Sequence, residues 1–330
     1  MKVIKLCAGR NQGYIVNFNI FNPEIAEVSV GVELRVGDTF DEFKILEKIG
    51  TGAFSNVFLA YDKVLDRKVV LKNLSPELSD SQDEWDAFVN EAQTTASLIH
   101  PGLITVHSLR IDEENQSAVL VMEYMDGGTL RDMIDHHGAV DLEMIWNLAH
   151  QVGEALTYLH ERGIVHRDIK PENILFSRET GWFKLTDFGL AFNPNRPEFE
   201  ALNDGQPGTL IYMSPEQARN ERVTMQSDLY TFAAVLYEAL TGTHYLPQVK
   251  HYEDNPRRAV QQIQVAYSPR LPLICQDIEL VDQLESVLFK ALSKHPQERF
   301  SSVRRFVRAF NRVIEDIEHT NSYRRAAARV

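Results

Sequence analysis

Cysteine is scarce in this chain of 330 residues, which contains only Cys7 and Cys275. These two residues lie far apart and neither belongs to a CxxC motif, so the sequence predicts neither a disulfide framework nor a zinc site. Long apolar runs are also missing, because no stretch approaches the roughly 18 consecutive apolar residues that a membrane helix needs. The N-terminus begins MKVIKLC and turns polar at once, which argues against a signal peptide. We therefore expect reduced thiols, no transmembrane segment and a cytoplasmic location.

Positive charge is in deficit as well. The chain has 34 Lys and Arg against 47 Asp and Glu, a formal net charge of −13. Such a chain repels phosphate backbones on average, so nucleic acid is not an expected partner. The hydrophobic fraction of 44% and the charged fraction of 25% are ordinary for soluble globular proteins and argue against global disorder, collagen-like repeats and coiled coil. We find no internal repeat and no low-complexity segment.

Strand-like patterns dominate the first part of the chain and helical patterns the second. Turn residues separate the predicted strands, which cover residues 15–21, 27–36, 43–50, 56–64, 67–74, 103–111 and 117–125. One amphipathic helix interrupts them at about residues 81–100. After Gly128 the predicted helices cover residues 142–163, 228–242, 282–294 and 301–318, and the second of these is apolar on nearly all sides. The pattern predicts an α+β protein with a strand-rich half and a helical half.

One short segment, HRDIKPEN, concentrates groups suited to phosphate chemistry. Asp168, Lys170 and Asn173 can hold a hydroxyl, a phosphate and a metal within reach of one another. The DFG segment that follows supplies Asp187 as a second oxygen ligand for a divalent cation, for which Mg²⁺ is the natural choice. A chance occurrence of this combination is far less plausible than a functional one.

A glycine-containing turn, IGTGAFSNV, lies between two predicted strands upstream. Gly50 and Gly52 would let a hairpin lie close over the phosphates of a ligand, where a Cβ would obstruct. Lys72 ends the segment VVLK and is a point charge suited to phosphate. The glycine-containing turn and Lys72 are each weak signals alone. The interpretation depends on the order of all four motifs, which are this turn, the lysine, HRDIKPEN and DFG.

In this order the motifs resemble those of the eukaryotic-like serine/threonine protein kinases. YMSPEQ and KHPQERF resemble the bacterial members. The resemblance covers about residues 37–315 and implies the bilobal protein-kinase fold, with an antiparallel-sheet N-lobe with one helix (about 37–124) and a mainly helical C-lobe (about 125–315). A strand-rich extension, residues 1–36, would precede it, and a basic tail, residues 316–330, would follow. The extension could extend the sheet, form a dimer or contact a partner.

The resemblance implies ATP and Mg²⁺ as cofactors and proteins with Ser or Thr acceptors as substrates. Lys72 would hold the α- and β-phosphates, oriented by Glu91. The adenine pocket would use Met122 as gatekeeper, the backbone of Glu123 and Met125, and the side chains of Val57, Val70 and Leu175. The phosphate-covering loop would comprise Ile49, Gly50, Thr51, Gly52, Ala53, Phe54, Ser55, Asn56 and Val57.

The same resemblance assigns the catalytic groups. Asp168 would accept the proton of the substrate hydroxyl, and Lys170 would neutralise the moving phosphoryl group. Asn173 and Asp187 would hold Mg²⁺.

Three further residues match structural positions of the family. Glu216, in Ser214-Pro215-Glu216, would pair with Arg299, and Asp228 would anchor the backbone of the catalytic loop. Together they favour a protein kinase over a small-molecule phosphotransferase.

The sequence departs from the family pattern at several points. Ser55 replaces the third glycine of the loop, and residues 190–208 contain no Ser, Thr or Tyr. The activation loop therefore lacks its own phosphosite, and the first hydroxyl is that of Thr209, which the resemblance assigns to substrate binding. We hypothesise that Glu198, Glu200 or Asp204 pairs with Arg167 in place of a phosphate. A solvated acidic face is the equal alternative.

Two readings of function remain open from the sequence. An active kinase is favoured because all six chemically required positions are filled. The alternative is a kinase-fold scaffold or pseudokinase that binds nucleotide with little transfer. The C-terminal tail is a frayed helix end, a pseudosubstrate, or a basic stretch that touches a membrane or a partner. Glu172 weakly favours a basic residue near the target hydroxyl.

Overall fold

A computed structural model describes residues 2–4, 34–51, 55–74, 82–112, 117–188, 211–247, 256–272, 274 and 277–327. Contacts divide the chain into two units. The sheet unit comprises Met1–Ile99 and Ile104–Tyr124, and the helical unit comprises His100–Leu103 and Met125–Val330. None of the helices in the described ranges has the length and apolarity needed to cross a membrane.

The sheet unit is built on a seven-stranded antiparallel sheet with the order β1-β6-β7-β5-β4-β3-β2. Its single described helix, α1, spans Gln82–Ser97. The strands are β1 (Lys2–Ile4), β2 (Thr39–Phe40), β3 (Phe43–Thr51), β4 (Ser55–Asp62), β5 (Arg67–Leu74), β6 (Val106–Asp112) and β7 (Ser117–Glu123).

Both faces of this sheet are covered by apolar residues, as the alternation along its strands requires. Successive side chains of a strand point to opposite faces. In β5, Val69 and Leu71 accordingly belong to one core cluster, whereas Val70 belongs to the other. The second cluster includes Phe88 and Ala92 of α1, so this helix covers the face to which Val70 points.

The helical unit is organised around one buried helix. Its helices are α2 (Leu130–His137), α3 (Leu142–His160), α4 (Pro215–Ala218), α5 (Met225–Thr241), α6 (Pro256–Val265), α7 (Ile278–Ala291) and α8 (Val303–Ala327). Every residue of α5 from Ser227 to Leu240 is buried, as its apolar composition on all sides predicts. A small hairpin, β8 (Ile174–Phe176) with β9 (Phe183–Leu185), follows a 3₁₀ turn over Pro171–Asn173.

Close packing of α3 on α8 depends on a glycine. A Cβ at Gly153 would lie 2.6 Å from Cγ2 of Val307, closer than packed atoms approach. Gly242 ends α5 in the left-handed conformation, with φ of 69°, which favours glycine at a helix C-cap.

The predicted α+β class is confirmed. Helices α2, α4 and α6 and strands β1, β2 and β8 have no counterpart among the predicted ranges, and several of the other elements differ from the prediction at their ends. Residues 34–36 form no strand, and β6 begins at Val106 rather than at residue 103, because Leu103 closes a turn by donating its N–H to the carbonyl of His100 (3.0 Å). Helix α8 continues to Ala327, through most of the segment that the sequence separates as a tail. The predicted strands over 15–21 and 27–33 lie outside the described residues.

Candidate active site

Lys72 and Glu91 form an ion pair within the sheet unit. Lys72 lies in β5 and Glu91 in α1, and Nζ of the lysine donates to Oε1 of the glutamate at 2.7 Å. Both side chains are mostly buried, at 15% and 11% exposure. The strand and the helix pack through one core cluster, which holds the two side chains within reach. The lysine is therefore held in one direction rather than left to move in solvent.

The predicted phosphate-covering loop is the connection between β3 and β4. These strands pair antiparallel from Phe43 opposite Asp62 to Thr51 opposite Asn56. The residues at the tip, Gly52, Ala53 and Phe54, lie outside the described part of the chain. A Cβ on Gly50 would meet Cβ of Val57 at 3.5 Å, an ordinary contact. Packing against the described part of the chain therefore does not require glycine at position 50.

The residues predicted to contact adenine fall in both units. Met122 and Val70 are buried in the sheet unit, where they pair with each other across β5 and β7. The N–H of Glu123 donates to the carbonyl of Thr105 at 3.0 Å, so this N–H is already engaged. In the helical unit, Met125 is buried and Leu175 is half-buried in β8. Val57, in the sheet unit, is also half-buried.

The segment from His166 to Asn173 brings two polar side chains, those of Lys170 and Asn173, to one carboxylate, that of Asp168. Lys170 Nζ donates to Oδ2 of Asp168 at 2.8 Å. Asn173 Nδ2 donates to the same oxygen at 3.0 Å and to the backbone carbonyl of Asp168 at 2.9 Å. Both side-chain bonds use Oδ2, so Oδ1 is the carboxylate oxygen that remains for a reacting group. The structure thus brings together all three predicted catalytic residues.

A buried aspartate of α5 holds the backbone of this loop, as predicted. Asp228 Oδ2 accepts from the N–H of His166 and Oδ1 accepts from the N–H of Arg167, both at 2.9 Å. Arg167 has a φ of 70°, a costly conformation for a residue with a side chain. Burial raises the pKa of Asp228, but the His160 ring at 2.8 Å and the backbone N–H outweigh this and lower it. The carboxylate therefore stays ionised and fixes the loop.

The β8–β9 hairpin brings Asn173 and Asp187 to one end of a two-stranded sheet. Asn173 immediately precedes β8 and Asp187 follows β9, while Ile174 pairs with Leu185. The N–H of Thr186 donates to the carbonyl of Asn173 at 2.9 Å, which continues the pairing to this end. Asp187 has a φ of 65°, so its backbone turns sharply at this point. Two oxygen-bearing side chains thus start from neighbouring backbone positions.

His166 lies between the loop of Asp168 and the segment that carries Asp187. It is fully buried, its Nε2 lies 3.1 Å from the carbonyl of Thr186, and its ring lies 5.0 Å from that of Phe188. It therefore links the loop of Asp168 to the segment that carries Asp187. No group of three or more His, Cys, Asp or Glu side chains within the described ranges could hold a metal ion by itself.

The predicted pair of Glu216 and Arg299 is present and almost fully enclosed. Arg299 Nη1 and Nη2 donate to the two carboxylate oxygens of Glu216 at 2.7 and 2.8 Å. Ser227 Oγ adds a third bond to the carboxylate at 2.7 Å. Burial raises the pKa of Glu216, but the bonds and charge of Arg299 outweigh it and hold that pKa below its usual range. The pair joins α4 to the segment before α8.

Comparison with known families agrees with this geometry. A protein kinase domain model matches residues 43–310. The chain belongs to the protein kinase family. Among curated proteins, the kinase is 33% identical over 269 residues to the serine/threonine-protein kinase PrkC of Bacillus subtilis and 34% identical over 264 residues to PknB of Mycobacterium leprae. Each match covers 79% of this kinase.

Only part of each curated relative is covered, since the kinase spans 38% of PrkC and 41% of PknB. Among solved structures, the kinase domain of Mycobacterium tuberculosis PknI, as a double mutant, matches with a TM-score of 0.62 and 25% identity. That match covers 86% of this kinase and all of the PknI chain. The kinase fold and the membership among bacterial serine/threonine kinases are therefore both supported.

One polar network near the catalytic loop was not predicted from the sequence. Arg131 of α2 donates from Nε to Glu172 (3.1 Å) and from Nη1 and Nη2 to Glu238 of α5 (both 3.1 Å). Tyr212 bonds to both Arg131 and Glu238. Glu172, which the sequence links to a basic residue of the substrate, thus already bonds to a guanidinium of the chain itself. The acids proposed to pair with Arg167, and Thr209, lie outside the described residues.

Proposed function

We propose that this kinase transfers the γ-phosphoryl group of ATP to serine or threonine hydroxyls of proteins. The observation that carries the proposal is the hydrogen-bonded set of Asp168, Lys170 and Asn173 on one short loop. Phosphoryl transfer has a loose transition state and depends on positioning and charge neutralisation more than on covalent catalysis. A fixed carboxylate beside a fixed ammonium supplies both.

In the proposed step, Oδ1 of Asp168 accepts the proton of the substrate hydroxyl while the hydroxyl oxygen bonds to the γ-phosphorus. The bond from that phosphorus to the β-phosphate oxygen breaks, and ADP leaves with the electron pair. Lys170 is already within 2.8 Å of Asp168, so its ammonium is placed to neutralise charge on the moving group. Asn173 orients the carboxylate through its bond to Oδ2.

The donor set also fits Mg²⁺ as the cofactor. Mg²⁺ prefers hard oxygen ligands and binds through few protein groups together with phosphates. The amide nitrogen of Asn173 donates to Asp168, so the amide oxygen is the atom of this side chain that could ligate a cation. Asp187 starts from the same end of the β8–β9 hairpin. When bound, Mg²⁺ would neutralise phosphate charge, and these two residues would hold it.

Within the sheet unit, Lys72 is the proposed ligand of the α- and β-phosphates. Its bond to Glu91 fixes the direction of the ammonium. We propose that Gly50 lets the hairpin lie close over the phosphates of the ligand, because its described neighbours would tolerate a Cβ there. The adenine roles of Val57, Val70, Met122, Glu123, Met125 and Leu175, and the loop roles of Ile49, Thr51, Gly52, Ala53, Phe54, Ser55 and Asn56, stay predictions. So does the cytoplasmic location.

We further infer that activity does not require phosphorylation within residues 190–208, since this stretch contains no hydroxyl side chain. Mass spectrometry of the purified, active kinase should find no phosphate in that stretch. Treatment with a phosphatase should leave the initial rate unchanged. Loss of activity on this treatment would show that activity depends on a phosphate bound elsewhere in the chain.

The proposal is tested by incubating the full chain with γ-labelled ATP, MgCl₂ and a generic basic protein. Label should appear on phosphoserine or phosphothreonine after acid hydrolysis and should be lost when EDTA replaces MgCl₂. Asp168→Asn is the matched control, because it keeps the shape of the side chain and removes the base. ATP binding without any transfer would favour the scaffold alternative, and labelled phosphotyrosine alone would contradict the substrate class.

A further inference from the structure

A single guanidinium sits among three carboxylates beside the catalytic loop. Arg131 contacts Asp135 as well as Glu172 and Glu238. Its Nη1 lies 3.2 Å from Oδ1 of Asp135. The side chain of Arg131 is only 17% exposed, whereas that of Glu172 is 45% exposed. Glu238 has no exposure at all. The arginine therefore spans from a buried acid to an acid that solvent, and a bound peptide, can reach.

The protonation states of this network are fixed at neutral pH. Burial lowers the pKa of Arg131, but Tyr212, Glu238 and Glu172 outweigh it, so the net shift is upward. Burial and the neighbouring carboxylate of Glu238 raise the pKa of Tyr212 well above its usual range. Arg131 thus stays charged and Tyr212 stays a neutral hydroxyl, which donates to Glu238.

Glu172 lies close enough to Asp168 for one bound peptide to reach both. It is four residues after Asp168 in the chain, so the two Cα atoms are at most about 14 Å apart, a span that about four extended peptide residues cover. A peptide whose hydroxyl reaches Asp168 can therefore place a residue within a few positions of the acceptor at Glu172. An unoccupied carboxylate at that place would attract a basic residue of the peptide.

We propose that Arg131 is a specificity-determining residue, which occupies Glu172 and Glu238 and so suppresses selection for a basic residue next to the acceptor hydroxyl. The proposal rests on the kinase function proposed above and deepens it. The wild-type kinase then accepts peptides with neutral residues at the position facing Glu172. Loss of the guanidinium turns the same surface into a binding site for a basic side chain.

The test needs a variant that exposes Glu172 without leaving a buried charge alone. Arg131→Met by itself leaves the carboxylate of Glu238 buried without its guanidinium, which is strongly destabilising. The double variant Arg131→Met with Glu238→Gln removes both buried charges together and retains an acceptor for Tyr212. Adding Glu172→Gln to the double variant gives the matched control. Thermal unfolding and circular dichroism establish that each variant is folded.

The test uses two sets of fluorescent peptides. In each set one position near the acceptor is varied in turn, and that position carries arginine in one set and glutamine in the other. A parallel pair with alanine in place of the acceptor serine gives dissociation constants by anisotropy, without requiring transfer. For the double variant we expect the arginine peptide to gain about three- to tenfold over the glutamine peptide, in Kd and in KM, relative to wild type. The Glu172→Gln control should return the ratio to the wild-type value.

The outcomes separate this proposal from the function on which it rests. An equal arginine-to-glutamine ratio in wild type, double variant and control overturns the role of Arg131 in specificity, even where transfer is robust. A change confined to kcat and equal for both peptides assigns Arg131 to structure alone and also overturns it. A shifted binding ratio without transfer in any protein supports the role of Arg131 and contradicts the kinase function.

Discussion

Removal of one partner from the pair of Glu216 and Arg299 is expected to destabilise the helical unit strongly. Arg299→Met would leave the carboxylate of Glu216, whose side chain is 3% exposed, without its guanidinium and with the hydroxyl of Ser227 still bound to it. Breaking a buried ion pair from one side costs about 3–5 kcal/mol. For a unit of 150–250 residues, about 2–4 °C of Tm is lost per kcal/mol, so we expect a fall of about 6–20 °C.

A double-mutant cycle shows whether the loss comes from the pair itself. Glu216→Met leaves Arg299 with the carbonyls of Gln226 (2.7 Å) and Ser293 (2.9 Å), so this variant should also be destabilised. The double variant removes both charges and should be more stable than the sum of the two single losses predicts. Calorimetry measures the Tm of all four proteins.

An exposed ion pair in the same unit provides the control. Arg219 Nε lies 2.9 Å from Glu221 at the surface, and Arg219→Met should leave the Tm nearly unchanged. The reasoning would be refuted if Arg299→Met were as mild as Arg219→Met, or if the losses at positions 216 and 299 were strictly additive.

Three further predictions follow from charged groups at known positions. Burial, helped by Arg299, lowers the pKa of Lys294 to about 8, so the folded state binds fewer protons than the unfolded state between pH 8 and 10.5. Between pH 8 and 10.5 the free energy of unfolding of the wild type, measured by denaturant titration, should therefore rise relative to that of Lys294→Met. The same pH dependence in both proteins would contradict this. Glu91→Gln should lower kcat/KM about 10²-fold in steady-state assays, because Lys72 loses the charge that directs it. Asp228→Asn should cost about 1–3 kcal/mol and lower kcat, because one N–H of the loop would then face an amide NH₂; unchanged unfolding and unchanged kcat would count against this.

The sequence carried most of the information about elements whose signal is local. The helix around Asp228 is apolar on all sides, and its burial follows from that composition alone. The pairs of Lys72 with Glu91 and of Glu216 with Arg299 were predicted through ordered motifs, each short enough to be recognised in the chain. The predicted strand over residues 67–74 and the observed strand β5 have the same ends, because turn residues flank this segment on one side.

The Arg131 network could not be predicted in the same way. Its partners Glu172, Tyr212 and Glu238 lie 41, 81 and 107 residues away in the chain, so no periodicity or spacing links them. An arginine on a short amphipathic helix is indistinguishable in sequence from a solvated surface charge. Only the packing of α2 near α5 and the 3₁₀ turn brings these groups together.

The start of β6 shows how apolar residues can mislead. Leu103 and Ile104 are buried and continue an apolar run, which favours a strand from residue 103. In the structure Leu103 instead forms an isolated bridge with Leu185 of the hairpin in the helical unit. The apolar run predicted a strand from residue 103, whereas β6 begins at Val106.

The central claim is that Asp168 acts as the base in phosphoryl transfer. The most direct measurement compares kcat at saturating ATP and Mg²⁺, and the ATP dissociation constant, between the wild-type chain and Asp168→Asn. The account predicts that kcat falls about 10²–10⁴-fold, the range expected for loss of a general base, while ATP still binds. Equal kcat values for the two proteins would contradict it.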